Sequence, residues 1–278
     1  MLFENPKVIK IKKNYTRFIK LTKFANSKRK NMLKYLNEFG KYFMLMGKVL
    51  RKPDKAIIFK QQLVLEIDKI GLDSLGIVVI ISIFMGGVVA IQTAFNIDSP
   101  WYPLYAVGFT VRQSVILEFS PTIVSLILAG KVGSRIASEI GTMRVTEQID
   151  ALDIMGVNSA NYLILPKIIA AVVINPILIT ISMFLGIFGG WLACTLTRLV
   201  LSAHYVYGVQ LDFRGYDVFY ALIKTVVFAF IITSVSSFKG YYVDGGSLEV
   251  GQASTKAVVF SSILIIIFNL ILTQMLLS

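Results

Sequence analysis

The side chains that could do chemistry lie mostly in one polar stretch, residues 130–166, between long apolar runs. Ser134 and Glu139 have the side chains of a nucleophile and a base, but acyl transfer of this kind also needs a histidine. The one histidine, His204, falls in a later loop that the order of apolar runs places on the opposite side of a membrane. With the single Cys194, it offers no metal-ligand cluster and no disulfide within the chain. The sequence therefore favours neither hydrolase nor zinc nor redox chemistry.

Motifs for nucleotide hydrolysis are missing from the sequence. It contains no G-x-x-x-x-G-K-[ST] segment, which forms the phosphate loop of many ATPases, and no H-E-x-x-H or G-x-S-x-G. We therefore expect the chain not to hydrolyse ATP itself and to bind no cofactor or metal of its own.

The composition is that of an integral membrane protein. Of the 278 residues, 55% are hydrophobic and 16% are charged, against about 25% charged in a soluble domain. The net charge of +12 is concentrated in residues 1–60, which hold 17 Lys and Arg against three acids. This basic arm leads into apolar runs and carries no nucleic-acid-binding motif, so anionic lipid headgroups are its expected partner and nucleic acid is not.

Five apolar runs are long enough to cross a bilayer. The first, residues 72–97, has no charge between Asp73 and Asp98, a stretch of 24 residues, and about 20 suffice. The other runs are 104–129, 162–201, 218–238 and 253–277. Because Pro166 and Pro176 interrupt the third run, it fits either one long helix with a kinked lead-in or a tight helical hairpin. Residues 202–217 are expected to form an aqueous loop.

Small residues mark where these helices should pack closely. Gly86 and Gly87 lie in the first span, and Gly186 and Gly190 form a GxxxG pair in the third. Such residues let two helix backbones approach, so we predict close helix contacts at both places.

Two segments precede the first span. Residues 1–30 are interpreted as a basic tail, to which we assign no fold. Residues 31–70 are predicted to form an amphipathic helical region lying in the membrane interface, with Leu36, Phe39 and Phe43 facing away from the lysines. The positive-inside rule places the N-terminus in the cytoplasm, and five spans then place the C-terminus in the periplasm.

A short amphipathic helix is predicted within the polar stretch, between the second and third spans. Thr146 is placed to cap it, and Gly156 is placed to end it after about nine residues. At 100° per residue, its apolar and acidic side chains separate into two faces: Ile149, Leu152 and Met155 on one, and Glu147, Asp150 and Asp153 on the other. So short a helix needs a surface to lie against. A connecting loop that happens to be helical is the alternative.

Arg112, Glu118 and Lys224 are the charged residues that we expect to lie within the membrane. Glu118 lies 14 residues from the outer end of its span, about 21 Å, so it needs protonation or a cation. Arg112 lies about 240° around the same helix, which makes it a poor partner. Lys224 is expected roughly 9–12 Å shallower, so this pair meets only if the lysine extends or the helices tilt. A packing contact satisfied by Ser or Thr of a neighbouring helix is the alternative role for Glu118.

The run AGKVGSRIASEIGTMRVTEQIDALDIMGV resembles the signature of the MlaE/YrbE family, the permease subunits of MCE-type ABC transporters. That signature is an A-G-[RK]-x-G-S segment followed by A-E-I-G-x-M-x-x-T-E-Q. Glu118 with Pro121, the Gly186 region and residues 222–242 also resemble the family, so the similarity covers roughly residues 31–278. Two departures are Ser120, where the family usually has glycine, and Asn269, where some members carry an acid.

The resemblance implies an all-α permease domain over residues 71–278 that forms a homodimer in the cell inner membrane. It also implies a cytoplasmic ABC ATPase, an MCE-domain lipid-shuttle protein on the outer side and, in some systems, a STAS-domain protein. The cargo would be phospholipid or a related lipid moved between inner and outer membranes. The ATPase would be contacted by the signature residues Glu139, Met143, Thr146, Glu147, Gln148 and Asp150.

A lipid-binding cavity is expected at the dimer interface, at the outer end of the first helix. Gln92 and Asn96 lie one turn apart there and would offer a headgroup polar partners beside an apolar wall. The residues expected to line it are Val89, Gln92, Thr93, Asn96 and Ile97. The alternative is that these polar groups are helix-end side chains satisfied by water.

Two other classes of function compete with this interpretation. An ion-coupled secondary transporter would show inverted repeats and broken midplane helices, and the sequence has no convincing repeat between its halves. A membrane scaffold that moves nothing would gain nothing from charges kept inside its spans.

Overall fold

The computed structural model describes residues 36–51, 56–97 and 103–277, and these residues fall into two compact units that divide between Lys48 and Val49. Within the described ranges the chain forms eight helices and no strands. They are α1 (36–49), α2 (Ala56–Asn96), α3 (Tyr105–Val145), α4 (Gln148–Ile154), α5 (Ser159–Thr197), α6 (Ser202–Gln210), α7 (Gly215–Tyr241) and α8 (Ser247–Leu277).

The first unit contains most of α1. Phe39 and Phe43 are exposed on it and meet edge to face, with ring centroids 4.7 Å apart. Within the region of residues 31–70 that was predicted to be helical, the chain is helical over 36–49 and again from Ala56. The tail predicted for residues 1–30 lies outside the described residues, as do residues 31–35 and 52–55.

The second unit is built around the five predicted spans. The described part of the chain has five helices long and apolar enough to cross a membrane: α2, α3, α5, α7 and α8. At 41 residues each, α2 and α3 are about 60 Å long, twice the hydrocarbon thickness, so both extend well beyond it. In α2, residues 56–70 continue without a break into the first predicted span.

The third span is one long helix rather than a hairpin. α5 runs for 39 residues with Pro166 and Pro176 inside it. Proline removes one backbone donor and displaces a carbonyl, and side chains can compensate locally. Beyond the second proline, Thr180 donates its hydroxyl to the Pro176 carbonyl at 2.8 Å, a local bond that keeps this side chain satisfied within the helix.

The predicted glycine contacts join α2 to α5. A Cβ added at Gly86 would lie 1.8 Å from the Gly186 carbonyl oxygen, and one at Gly189 would lie 2.1 Å from the Ile83 carbonyl oxygen. The two backbones therefore touch, which confirms close packing at this position.

The aqueous loop expected at residues 202–217 is wrong in its first half, because residues Ser202–Gln210 form α6 against α3. Gly208 packs on the Tyr105 carbonyl and Gly108 packs on the Tyr205 carbonyl. Tyr205 is buried and donates its hydroxyl to the Ile187 carbonyl at 3.0 Å. Burial raises the pKa of this hydroxyl, which therefore stays a neutral donor.

The second unit has two distinct ends. At the end we call the α4 end, the C-termini of α3 and α7 meet the N-termini of α5 and α8: Ser159 and Tyr241 share a hydrogen bond of 2.8 Å, and Gly141 packs on Val250. The opposite end carries residues 198–214 with α6, and the C-terminus of α8.

Replacing Gly86 by alanine should destabilise the protein by about 3 kcal/mol, because the new methyl group would overlap the α5 backbone rather than a movable side chain. Gly76→Ala is the matched control on the same helix: nothing lies within 4 Å of its Cβ position, and alanine favours a helix over glycine. Thermal unfolding in detergent should show a lower Tm for Gly86→Ala alone. Equal Tm values for the two variants would contradict the close contact.

Candidate functional site

A lysine and a glutamate meet in the middle of the spans. Lys224 of α7 is fully buried, and its Nζ lies 2.9 Å from Glu118 Oε1 of α3. The ammonium also donates to the Tyr220 hydroxyl at 2.8 Å, the Leu117 carbonyl at 3.2 Å and the Thr273 hydroxyl at 3.2 Å. A charge at this depth must be paired and hydrogen-bonded to be tolerated. This cluster provides both.

The second carboxylate oxygen of Glu118 is bound by α8. Asn269 donates its Nδ2 to Glu118 Oε2 at 3.0 Å, and Thr122 lies 3.3 Å from the same oxygen. If position 269 carried an acid, its carboxylate and that of Glu118 would share the single cation Lys224. Asn269 instead gives the carboxylate a neutral donor, so the cluster carries one negative and one positive charge.

The expected depth difference does not keep Lys224 and Glu118 apart. α7 begins at Gly215, three residues before the predicted start, which places Lys224 about 4.5 Å deeper than expected. α3 is π-helical from Val115 to Ile123, around Pro121, so its residue positions shift relative to a regular helix. The extended lysine side chain covers the remaining distance. Thr273 of α8 supplies the neighbouring-helix hydroxyl of the alternative role, at 3.3 Å from Glu118 Oε1, so the ion pair and this contact occur together.

Arg112 is buried apart from Glu118, as its position on the helix predicted. Its Nη1 donates to the carbonyls of Val209 at 2.9 Å and Leu211 at 2.7 Å, and its Nη2 donates to the Asp212 carbonyl at 3.3 Å. These carbonyls end α6, which has no further helical turn to satisfy them. Arg112 therefore holds α6 on α3.

The short helix of the polar stretch is present as α4, but its start differs from the prediction. Thr146 does not cap it: the Thr146 hydroxyl donates to the Thr142 carbonyl at 2.9 Å, within the last turn of α3. Glu147 precedes α4 instead, with a left-handed backbone (φ 59°) that turns the chain between the two helices. Gly156, at φ 77°, follows the helix end as predicted.

The predicted apolar face of α4 holds for Ile149, which is fully buried, and fails for Met155. α4 ends at Ile154, so Met155 leaves the helical period and is exposed. Ile154 is 87% exposed beside it. Two apolar side chains and Glu147 therefore project from the α4 end of the protein.

The expected ATPase-contacting residues divide into two groups. Glu139 and Asp150 are paired internally, with Lys167 at 2.8 Å and with Arg144 at 2.6 Å. Thr146, Glu147 and Gln148 are exposed, and Met143 is half-buried. The first group holds the α4 end together, and the second is available to a partner.

Glu66 was not among the site residues predicted from the sequence. Lys167 of α5, almost completely buried, lies 2.6 Å from Glu66 of α2 as well as 2.8 Å from Glu139 of α3. The ion triad thus ties α2, α3 and α5 together below α4. Glu66 has no motif around it, and only contact between distant segments identifies it.

The residues predicted to bind lipid do not all face the same way. Val89 is buried in a core cluster, and Ile97 packs against that cluster. Thr93 donates its hydroxyl to the Val89 carbonyl at 2.7 Å. Gln92 and Asn96 are exposed on α2. The lipid cavity remains a prediction, carried by the two exposed amides.

A five-span helical bundle with a paired charge at midspan and a short helix projecting from one end is the architecture of a multi-pass membrane protein. A family model described as "Permease MlaE" matches residues 63–275. The chain therefore belongs to the MlaE permease family.

Three similar proteins illustrate the range of organisms in which relatives of this chain are found. The chain is 34% identical over 255 residues to a "Probable ABC transporter permease protein" of Rickettsia bellii, covering 92% of this chain and 98% of that protein. It is 29% identical over 255 residues to the "Intermembrane phospholipid transport system permease protein MlaE" of Haemophilus influenzae, covering 91% and 97%. It is also 30% identical over 245 residues to "Protein TRIGALACTOSYLDIACYLGLYCEROL 1, chloroplastic" of Arabidopsis thaliana, covering 83% and 66%.

Lys224→Met should lower the free energy of unfolding by about 2 to 3 kcal/mol, because it leaves the half-covered Glu118 carboxylate without a cation. Adding Glu118→Gln should restore at least half of that loss, since no charge then remains at midspan. The measurement is a double-mutant cycle from denaturant unfolding in detergent. Simple addition of the two single effects would mean that the residues do not interact.

Proposed function

We propose that this chain is the permease subunit of an ABC transporter that moves phospholipid or a related lipid between inner and outer membranes, driven by a separate ATPase subunit. The observation that carries the proposal is the signature segment, which forms the projecting α4 together with the end of α3. The name of the Haemophilus influenzae relative supports phospholipid as the cargo.

The proposed orientation places the α4 end in the cytoplasm of a cell with an inner membrane. The basic arm of residues 1–60 supports a cytoplasmic N-terminus, and five spans then bring the C-terminus to the periplasmic side. In this orientation an ATPase reaches α4, and Gln92 and Asn96 lie near the outer surface.

The structure offers a direct mechanical route from α4 to the midspan cluster. The contact surface consists of Glu147, Gln148, Ile154 and Met155. The last turn of α3 lies beside α4. From Val145 in that turn, the same helix runs back to Glu118, which is 27 residues or about 40 Å away. The triad of Lys167 with Glu66 and Glu139 joins α3 to two further spans. A push on α4 therefore moves these helices together, as a rigid-body rearrangement requires.

Further partners follow from the family. We propose a homodimer, with each copy bound by a cytoplasmic ABC ATPase that holds the ATP. We also propose an MCE-domain protein on the outer side, and a STAS-domain protein as a further subunit. Lipid would enter beside Gln92 and Asn96, whose amides are free to bind a headgroup where two copies meet.

The rival classes receive less support. The five spans are continuous helices in the described residues, without the break at the midplane that is typical of many secondary transporters. A scaffold needs no buried lysine at midspan, yet Lys224 is kept there with four hydrogen-bond acceptors.

Ile154→Glu and Glu147→Lys should each reduce the amount of ATPase that copurifies with the chain. The first adds a charge to an exposed apolar contact, and the second reverses an exposed acid. Leu201→Glu is the control, since it adds the same charge to an exposed apolar residue at the opposite end. Undiminished ATPase in both α4 variants would place the contact elsewhere.

Glu118→Gln should lower the free energy of unfolding, because Lys224 loses its anion, but should still give a folded protein that binds its ATPase partner. It should alter lipid transport or its coupling to ATP hydrolysis. The amide oxygen can still accept from Lys224, so packing is kept while the charge is lost. Transport and hydrolysis would be measured together in reconstituted vesicles. Wild-type values for both would assign Glu118 to packing alone.

A further inference from the structure

A groove at the α4 end carries polar side chains that the midspan cluster and α4 do not use. It has a volume of about 720 Å³ and lies between α2, α3 and α8. Its walls include Lys69 and Asp73 of α2, Arg135, Ser138 and Thr142 of α3, and Ser254 of α8. This volume is within the range of small-molecule sites.

The groove lies at the level of the lipid headgroups. The uncharged run of α2 begins directly after Asp73, so Lys69 and Asp73 occupy its first turns outside the hydrocarbon. Arg135 lies at the same level, because its Nη1 donates to Asp73 Oδ2 at 2.9 Å.

Lys69 is a cation without a close carboxylate. Its Nζ lies 4.0 Å from Glu66 Oε1, and that oxygen is only 2.6 Å from Lys167. The side chain is 50% exposed. Glu66 is thus bound more closely by Lys167 than by Lys69, and the exposed side of the Lys69 ammonium remains open to a further anion.

Arg135 also has hydrogen-bond donors that no acceptor among the described residues uses. Its Nη1 is used by the Lys69 carbonyl at 2.8 Å and by Asp73. Its Nε and Nη2 have no hydrogen-bond partner among the described residues. These two nitrogens form the edge with which a guanidinium binds a phosphate or carboxylate through two parallel hydrogen bonds. Covered donors without acceptors are unfavourable, so the guanidinium gains by turning this edge to an anion in the groove.

The acids in the groove are held by cations. Asp73 is bound by Arg135, and Lys131 at the rim donates to the Asp73 carbonyl. Glu139 is bound by Lys167 at 2.8 Å. Lys167 is shared between Glu66 and Glu139, so with Lys69, Lys131 and Arg135 the four cations here exceed the three acids by one positive charge.

We propose that this groove binds the phosphate of a phospholipid headgroup from the leaflet at the α4 end, with Lys69 and Arg135 as its cationic contacts. The site is separate from Gln92 and Asn96 at the outer end of α2. It does not depend on the transport activity proposed above, because a lipid held here binds whether or not it is moved.

The test compares Lys69→Gln with Lys60→Gln in the purified, delipidated full-length chain. Lys60 is exposed on the same helix, nine residues away and therefore on the opposite face, so the charge change is the same without the groove. Native mass spectrometry would titrate phosphatidylglycerol onto each variant. Lys69→Gln should weaken binding about fivefold, Lys60→Gln should leave it unchanged, and Lys69→Arg should restore it.

Two further ligands define the chemistry. Diacylglycerol, which lacks the phosphate, should not bind in a Lys69-dependent manner, and inorganic phosphate should not displace phosphatidylglycerol. Equal losses in Lys60→Gln and Lys69→Gln, no loss in either, or equal binding of diacylglycerol would overturn the proposal. If inorganic phosphate displaced phosphatidylglycerol, the groove would be a site for free anions, and the assignment to a lipid headgroup would be overturned.

Discussion

A buried ammonium group is the constraint on which the rest of this structure depends. Lys224 has no exposed surface, and an unpaired cation at midspan costs several kcal/mol. Its partners come from α3 and α8 as well as from its own helix: Glu118, Thr273 and Tyr220. The need to satisfy one charge therefore fixes three helices against one another, at the depth where hydrophobic packing alone specifies little.

α3 carries a second ion cluster nearer the α4 end. Glu139 lies 21 residues beyond Glu118 and reaches α5 and α2 through Lys167 and Glu66. The two clusters hold α3 at two levels, each against a different pair of helices. Between them α3 has a further π-helical segment, Ala129–Gly133, where the turns are wider than in an α-helix. Segments of this kind let one helix meet two sets of partners that a regular helix would not align.

Much of this architecture was predictable because the bilayer imposes simple rules. The number of spans follows from uncharged length, the α2–α5 contact from glycine spacing, and α4 from a polar stretch that cannot lie in hydrocarbon. The signature residues identified the family on their own, and the family model confirmed it.

The remaining features depend on contacts between distant segments. Lys224 was expected too far from Glu118, because regular helical geometry does not account for the π-helical turn or the earlier start of α7. Thr146 was expected to cap α4, since its side chain suits a cap as well as it suits the last turn of α3. α6 and Glu66 had no local pattern: Gly208 and Glu66 acquire their roles only from the carbonyls and the lysine that they meet.

If this chain is the permease of an ABC transporter, it moves lipid only when a separate ATPase drives it. The most direct measurement is transfer of fluorescent phospholipid from vesicles that contain the chain together with its copurified ATPase, with and without ATP. We expect transfer to require ATP hydrolysis and both proteins, and to be insensitive to collapse of the proton and sodium gradients. Transfer by the chain alone, driven by an ion gradient without ATP, would contradict it.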